Sequence, residues 1–324
     1  MLDPTALFAW EDHVDQRTVS APTMVVTLGS YVDAGHTQRM LDAHLLEALP
    51  NRLLGRFDTD QVFDYAGRRP PIVFDRDHFA RYDAPQLSLH LLTDTDGRDF
   101  LLLRGPEPAL QWERMSAAVR YVVEQLDVRR TVVVQTMPSP SPHTRPVAIT
   151  RYASDPALLG AGHRPMMGTF QLSASFTGVM TYRLGEAGHQ VLGLVAHVPH
   201  YVADADYPAA AIAMLDAIRE TASLSLPVGG LPLAGTLVGA QLDKAVAENE
   251  ELAAVVAQLE QHYDRLAEQH QLQAVGEQRL PSADEIGRQF EQYLAQFDAT
   301  EGRGGDGHTG EEPGGSGPSG DTPA

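Results

Sequence analysis

Five short apolar runs punctuate the first 200 residues: Met24–Leu28, Leu87–Leu92, Phe100–Leu103, Thr131–Met137 and Val191–Ala196. Each has strand length and most are rich in Val, Leu or Thr, so each predicts a β-strand. The uninterrupted run at 191–196 suits a strand covered on both faces. Between the runs the period changes. Leu41, Leu45 and Leu49 recur at helical spacing until Pro50 closes the helix. Trp112, Met115, Val119, Val122 and Leu126 step by three and four, and Phe176, Val179, Met180 and Leu184 repeat the pattern ahead of Gly185 and Gly188. A further helical stretch covers 209–224. Asp94-Thr95-Asp96-Gly97 reads as the turn of a hairpin, and Val147–Tyr152 as a strand on an excursion out of the main sheet.

This alternation predicts an α/β fold: an α/β/α sandwich with a mainly parallel sheet. The core is expected to span residues 1–229. Residues 230–300 form a C-terminal helical appendage, where Leu252, Val256, Leu259, Tyr263 and Leu266 step by four and three. Ser282 and Glu285 make a capping box ahead of the stripe Ile286, Phe290, Tyr293, Leu294 and Phe297. Apolar stripes need a partner, so residues 236–298 are expected to cover a pocket entrance as a lid. Residues 301–324, rich in Gly, Pro and acidic groups, cannot bury enough surface to order themselves and read as a disordered tail. The segment from Phe57 to Tyr82 alternates apolar and polar residues around Arg68-Arg69-Pro70-Pro71. It predicts a hairpin projecting from the core, a hazard unless something covers it. Another subunit of a cyclic homo-oligomer is the expected cover.

Composition narrows the partners. Lys and Arg number 24 against 43 Asp and Glu, a net charge of −19, which speaks against nucleic acid. The absence of cysteine excludes disulfides, thiolate catalysis and Cys-ligated zinc, and fits a reducing cytoplasm. No run approaches the roughly 20 apolar residues of a membrane span, and the first residues lack a signal-peptide pattern. A cytoplasmic protein without a membrane partner is expected. No cofactor is expected either, because the P-loop and the G-x-G-x-x-G spacing are both absent.

Candidate chemistry follows the strands. In open α/β sheets, ligands bind beyond the carboxyl ends of the strands. After the first run come Gly29, Asp33, Gly35 and His36, where glycines let backbone approach a ligand and a helix N-terminus favours an anion. Asp33 as a plain helix cap is the competing reading. After the run at 131–137 come His143 and Arg145, in a loop stiffened by Pro138, Pro140, Pro142 and Pro146. Arg145 suits a carboxylate or phosphate and His143 suits proton transfer, though a loop that merely packs is the alternative. After the run at 191–196 come His197 and His200; a His-x-x-His pair alone does not make a zinc site, and no metal is expected. These eight residues are expected to border a site for a small anionic ligand or a protein partner.

Several segments together carry a resemblance: 29–36, Arg68-Arg69-Pro70, Leu102-Leu103-Arg104-Gly105-Pro106-Glu107-Pro108, Pro142-His143-Thr144-Arg145-Pro146 and His197-Val198-Pro199-His200-Tyr201. Over residues 20–230 the chain resembles the actinobacterial branch of the proteasome assembly chaperone type-two family. The resemblance implies an α/β/α sandwich similar to purine nucleoside phosphorylases and related hydrolases, often as homo-oligomers, and on that likeness a trimer is expected ahead of a dimer. Three functions follow as expectations. The first is a homo-oligomeric binding protein. The second is a hydrolase or nucleoside-phosphorylase-like enzyme using Asp33, His36, His143 and Arg145. The third is a proteasome-related assembly chaperone, resting on the family name. Docking through a terminal hydrophobic–Tyr–any-residue motif is not expected, since the last residues read Asp321-Thr322-Pro323-Ala324.

Overall fold

The computed structural model describes residues 2–29, 33–160, 163 and 168–275. The predicted helix over 282–297 and the tail over 301–324 lie outside the described residues. In chain order the strands are β1 (Phe8–Trp10), β2 (Thr23–Gly29), β3 (Asn51–Phe57), β4 (Ile72–Asp75), β5 (His78–Tyr82), β6 (Leu87–Thr93), β7 (Asp99–Pro106), β8 (Arg130–Ser139), β9 (Ile149–Ala153) and β10 (Gln190–Pro199). The helices are α1 (Thr37–Ala48), α2 (Thr59–Val62), α3 (Trp112–Gln125), α4 (Phe176–Glu186), α5 (Pro208–Ala222), α6 (Leu231–Ala247) and α7 (Glu250–Val275). Contacts divide the chain into two units, Met1–Gln271 and Leu272–Ala324. The first therefore extends past residue 229 and takes in α6 and most of α7. Of the second, only the last turn of α7 is described.

Eight strands form one sheet in the order β1-β3-β6-β7-β2-β8-β10-β9. The centre is parallel: β7 with β2, β2 with β8, and β8 with β10. The β6–β7 hairpin turns at Asp94–Gly97 as the sequence predicts, and β3 and β1 continue that side antiparallel. At the other edge β9 pairs antiparallel with β10. The strand predicted near 147–152 thus belongs to the main sheet rather than to an excursion.

Alternation along β2 divides the core. Met24, Val26 and Leu28 pack with Met115, Val119 and Val122 of α3 and Met180 of α4 on one face. Val25 packs with Leu41 and Leu45 of α1 and Met214 and Leu215 of α5 on the other. Side chains of period two on a strand meeting helices on both sides is what fixes the α/β/α layering. Leu41 and Leu45 are fully buried; each contributes about 1.5–3 kcal/mol by leaving water. On the same face of β2 as Val25, toward its carboxyl end, stands the buried Thr27, and it marks where the site begins.

β4 and β5 form a separate two-stranded sheet. Every residue from 71 to 84 is exposed. Phe74 and Phe79 stack edge to face across the pair with their ring centres 5.1 Å apart. The predicted hairpin within 57–82 is therefore present and stands clear of the core.

Candidate functional site

Because β7, β2, β8 and β10 run in one direction, their carboxyl ends share one edge of the sheet. All three predicted segments leave from that edge. They do not, however, make one pocket.

Asp33 caps α1. Its Oδ1 accepts the Gln38 N–H at 2.8 Å and its Oδ2 the Arg39 N–H at 3.1 Å. Burial nevertheless raises its pKa. Gly35 has φ +66°, and a Cβ there would stand 2.9 Å from Cβ of Tyr207. Its N–H donates to the Ala203 carbonyl at 2.7 Å and its carbonyl accepts from the Tyr207 N–H at 3.0 Å. His36 Nδ1 lies 2.7 Å from Oδ1 of Asp206, which Arg39 also reaches at 2.9 Å. The hydrogen bond with His36, and after it that from Arg39, holds the Asp206 carboxyl below its ordinary range. The turn at 33–36 is thus sewn onto the segment following β10. In that segment His200 is exposed and meets the Tyr201 ring edge to face. His197 lies back along β10, with Nε2 2.6 Å from the Thr150 hydroxyl and Nδ1 3.3 Å from that of Ser139. Burial lowers its pKa, which keeps the ring neutral.

The 142–146 loop is bound to the helices. The Tyr201 hydroxyl accepts the His143 N–H at 2.7 Å and lies 2.6 Å from Nδ1, while Nε2 lies 3.3 Å from Asp243 of α6. The His143 side chain is 3% exposed. Arg145 engages both oxygens of Asp264 at 2.8 Å and Glu260 at 3.2 Å, all on α7. This two-pronged pair raises the guanidinium pKa and lowers that of Asp264. Tyr263 donates to the Pro146 carbonyl at 3.0 Å. The arginine expected to clamp a ligand clamps α7.

A cavity of about 300 Å³ opens elsewhere on the rim, between the end of β2, the first turns of α1 and the end of β7. Gly29 and Asp33 line it; His36, His143, Arg145, His197 and His200 do not, nor does any residue of α6 or α7. Its charged lining is Asp33, Arg39, Asp42 and Arg104. Asp42 is buried under α1, accepting from the Thr27 hydroxyl on one oxygen and from Nε of Arg104 at 3.1 Å on the other. Burial pushes its pKa up to about 6 against the pull of Arg104. Below the pair, His90 bonds Ser88 at 3.0 Å, and burial, then Arg104 and Arg56, push its pKa down to about 4. Gly105, at φ +138°, lets β7 pass under the Gln86 carbonyl, where a Cβ would come within 2.2 Å. At the opposite end of the sheet lies a larger, open hollow of about 690 Å³, lined in part by Asp127, Arg129 and His189 and by none of the predicted residues.

Asp42 and Arg104 escaped the sequence reading, yet signals existed. Gln38, Leu41, Asp42 and Leu45 share one helix face, so an acid there points at the sheet. Arg104 ends an apolar strand directly before a glycine, within a segment that also carries the family resemblance. Among the described residues no group of His, Asp and Glu has the arrangement of a metal site, and no helix is long and apolar enough to cross a membrane.

A mixed sheet, parallel at its centre and covered by helices on both faces, defines the class: an α/β/α sandwich protein. The chain belongs to the PAC2 family, whose model matches residues 27–246. It is similar to the Mycobacterium tuberculosis protein of unknown function Rv2714, at 38% identity and a TM-score of 0.79 over 85% of this chain and 94% of that one. A Corynebacterium glutamicum protein of unknown function matches at 34% identity and a TM-score of 0.75, covering 81% and 98%. The M. tuberculosis proteasome-assembly chaperone homologue Rv2125 shares the fold at 24% identity and a TM-score of 0.66, covering 72% and 99%. No curated protein matches the chain.

Proposed function

We propose that the protein is a binding protein that works as a homo-oligomer, its copies joined through the β4–β5 hairpin and its carboxyl rim open to a small ligand. One observation carries the assembly. Ile72, Val73, Phe74, Phe79 and Tyr82 all stand exposed, Phe74 at 57% and Phe79 at 68%. A lone two-stranded hairpin is marginal in water, and among the described residues this one lends its apolar side chains to no buried core. Charge favours a second copy as the cover. Residues 65–83 carry four arginines against three aspartates, whereas the whole chain is at −19, so the arm meets an acidic partner surface with attraction. A ring of three is the arrangement expected for such a heterologous contact. In this reading α6 and α7 strap the His143 loop and leave the cavity beside α1 uncovered.

Membership of a family with proteasome-assembly chaperone homologues supports a role in association rather than in turnover. Proteasome handling itself is not carried over, because the neighbour described as an archaeal proteasome activator shares 12% identity, which speaks for the fold alone. Light scattering tests the reading. Wild type is expected at a multiple of the 35.2 kDa chain mass, and Phe74→Ser/Phe79→Ser at the mass of one chain with unchanged far-UV dichroism. A wild type that runs as one chain at micromolar concentration overturns it.

A further inference from the structure

We infer that the cavity beside α1 is a binding site for a small zwitterion, an amino carboxylate such as a free amino acid. The inference rests on the reading of the rim as a ligand-binding surface, and it assigns the groups and the ligand class.

Arg104 is held from behind. Its Nε is spent on Asp42, which fixes the plane of the guanidinium. Its Nη1 and Nη2 make no hydrogen bond among the described residues, while the side chain is 33% exposed and lines the cavity. The end of the guanidinium is therefore free, and that edge presents two parallel N–H groups, the fork that a carboxylate fits. Asp42 reaches only Nε of the group, from behind, and leaves the outer edge to another partner.

Asp33 supplies the opposite sign. Both of its oxygens take a backbone N–H, yet it makes no ion pair among the described residues; the nearby Arg39 reaches Asp206 instead. A carboxylate oxygen that accepts one hydrogen bond retains a lone pair for another. An ammonium arriving at Asp33 thus gains a charge-assisted bond and relieves a partly desolvated anion.

Charge balance selects between ligand classes. Two arginines and two aspartates line the cavity, a formal charge of zero. A phosphate or a dicarboxylate would bring two negative charges against Asp33 and Asp42 with one free guanidinium edge to receive them. A zwitterion meets each free group with its complement. The roughly 300 Å³ of space admits a molecule of amino-acid size.

Titration calorimetry of the full chain is the test, with glycine, β-alanine and γ-aminobutyrate as zwitterions of rising charge separation. Acetate, ethylamine and inorganic phosphate serve as single-charge and anion controls. At least one zwitterion is expected to bind, with acetate and ethylamine each weaker by about tenfold or more, the loss of one charge-assisted bond. Arg104→Met and Asp33→Asn are each expected to weaken the zwitterion by a similar factor. Since Arg104→Met leaves Asp42 buried without its cation, Arg104→Met/Asp42→Asn is titrated beside it. Binding of no zwitterion overturns the inference, as does phosphate binding with equal or greater strength, or affinity unchanged in all three variants. Light scattering on the same samples separates the two readings, since an assembled protein that binds no zwitterion loses only this one.

Discussion

Replacing Asp42 with Asn turns a buried titrating group into a silent one, and the consequence is a change in how stability depends on pH. The folded-state pKa of Asp42 is about 6 against an ordinary value of 3.8, raised mainly by burial. Between those values the folded chain holds a proton at this carboxyl that the unfolded chain has released. Stability from this group is therefore fully present below pH 3.8 and is lost as pH rises through 6. A shift of this size corresponds to about 3 kcal/mol, at a slope of up to about 1.4 kcal/mol per pH unit. The Asn variant leaves Arg104 without its anion, but that cost is nearly constant over the window and displaces the curve without tilting it. Urea unfolding from pH 4 to 7.5, at one fixed protein concentration, gives the unfolding free energy of both proteins. Wild type minus Asp42→Asn is expected to fall by about 2.4 kcal/mol from pH 4 to pH 7, the part of the whole that lies in this window. A flat difference, or one that rises with pH, would refute the assignment of a raised, buried carboxyl beneath α1.

Two further expectations concern the rim. Gly35→Ala forces a side chain into left-handed backbone against Tyr207, and thermal unfolding should show a loss of about 2–4 kcal/mol; a loss below 0.5 kcal/mol would mean that this turn is not held as described. Arg145→Gln removes the two-pronged bond to Asp264, so hydrogen exchange should quicken along 250–264 and stay unchanged in β2 and β8. Unchanged exchange in α7 would show that the strap rests on packing alone.

The core was legible because its periods are strong. Unbroken apolar runs marked β2, β8 and β10, and stripes such as Leu41–Leu45–Leu49 marked the helices. β3 left no comparable trace: Arg52 and Arg56 break its pattern, and a register irregularity between Leu53 and Gly55 disturbs the alternation. β1 is three residues long and owes its strand state to pairing with β3, which no local signal reports. At the rim, strand ends located the predicted segments at the carboxyl edge of the sheet, but spacing cannot say which partner a side chain takes. Asp243, Asp264 and Glu260 lie 100 or more residues from the His143 loop in sequence and reach it only through the packing of α6 and α7. Long-range pairing of this kind also hid Arg104 and Asp42, 62 positions apart.

Assembly through the hairpin leaves its mark on the hairpin's own backbone. Hydrogen exchange read by mass spectrometry over residues 71–84, at protein concentrations from nanomolar to tens of micromolar, reports whether those amides are covered. Protection is expected to rise with concentration in wild type and to be absent throughout in Phe74→Ser/Phe79→Ser. Fast exchange of 71–84 in wild type at every concentration, beside a protected β2 and β8, would contradict it.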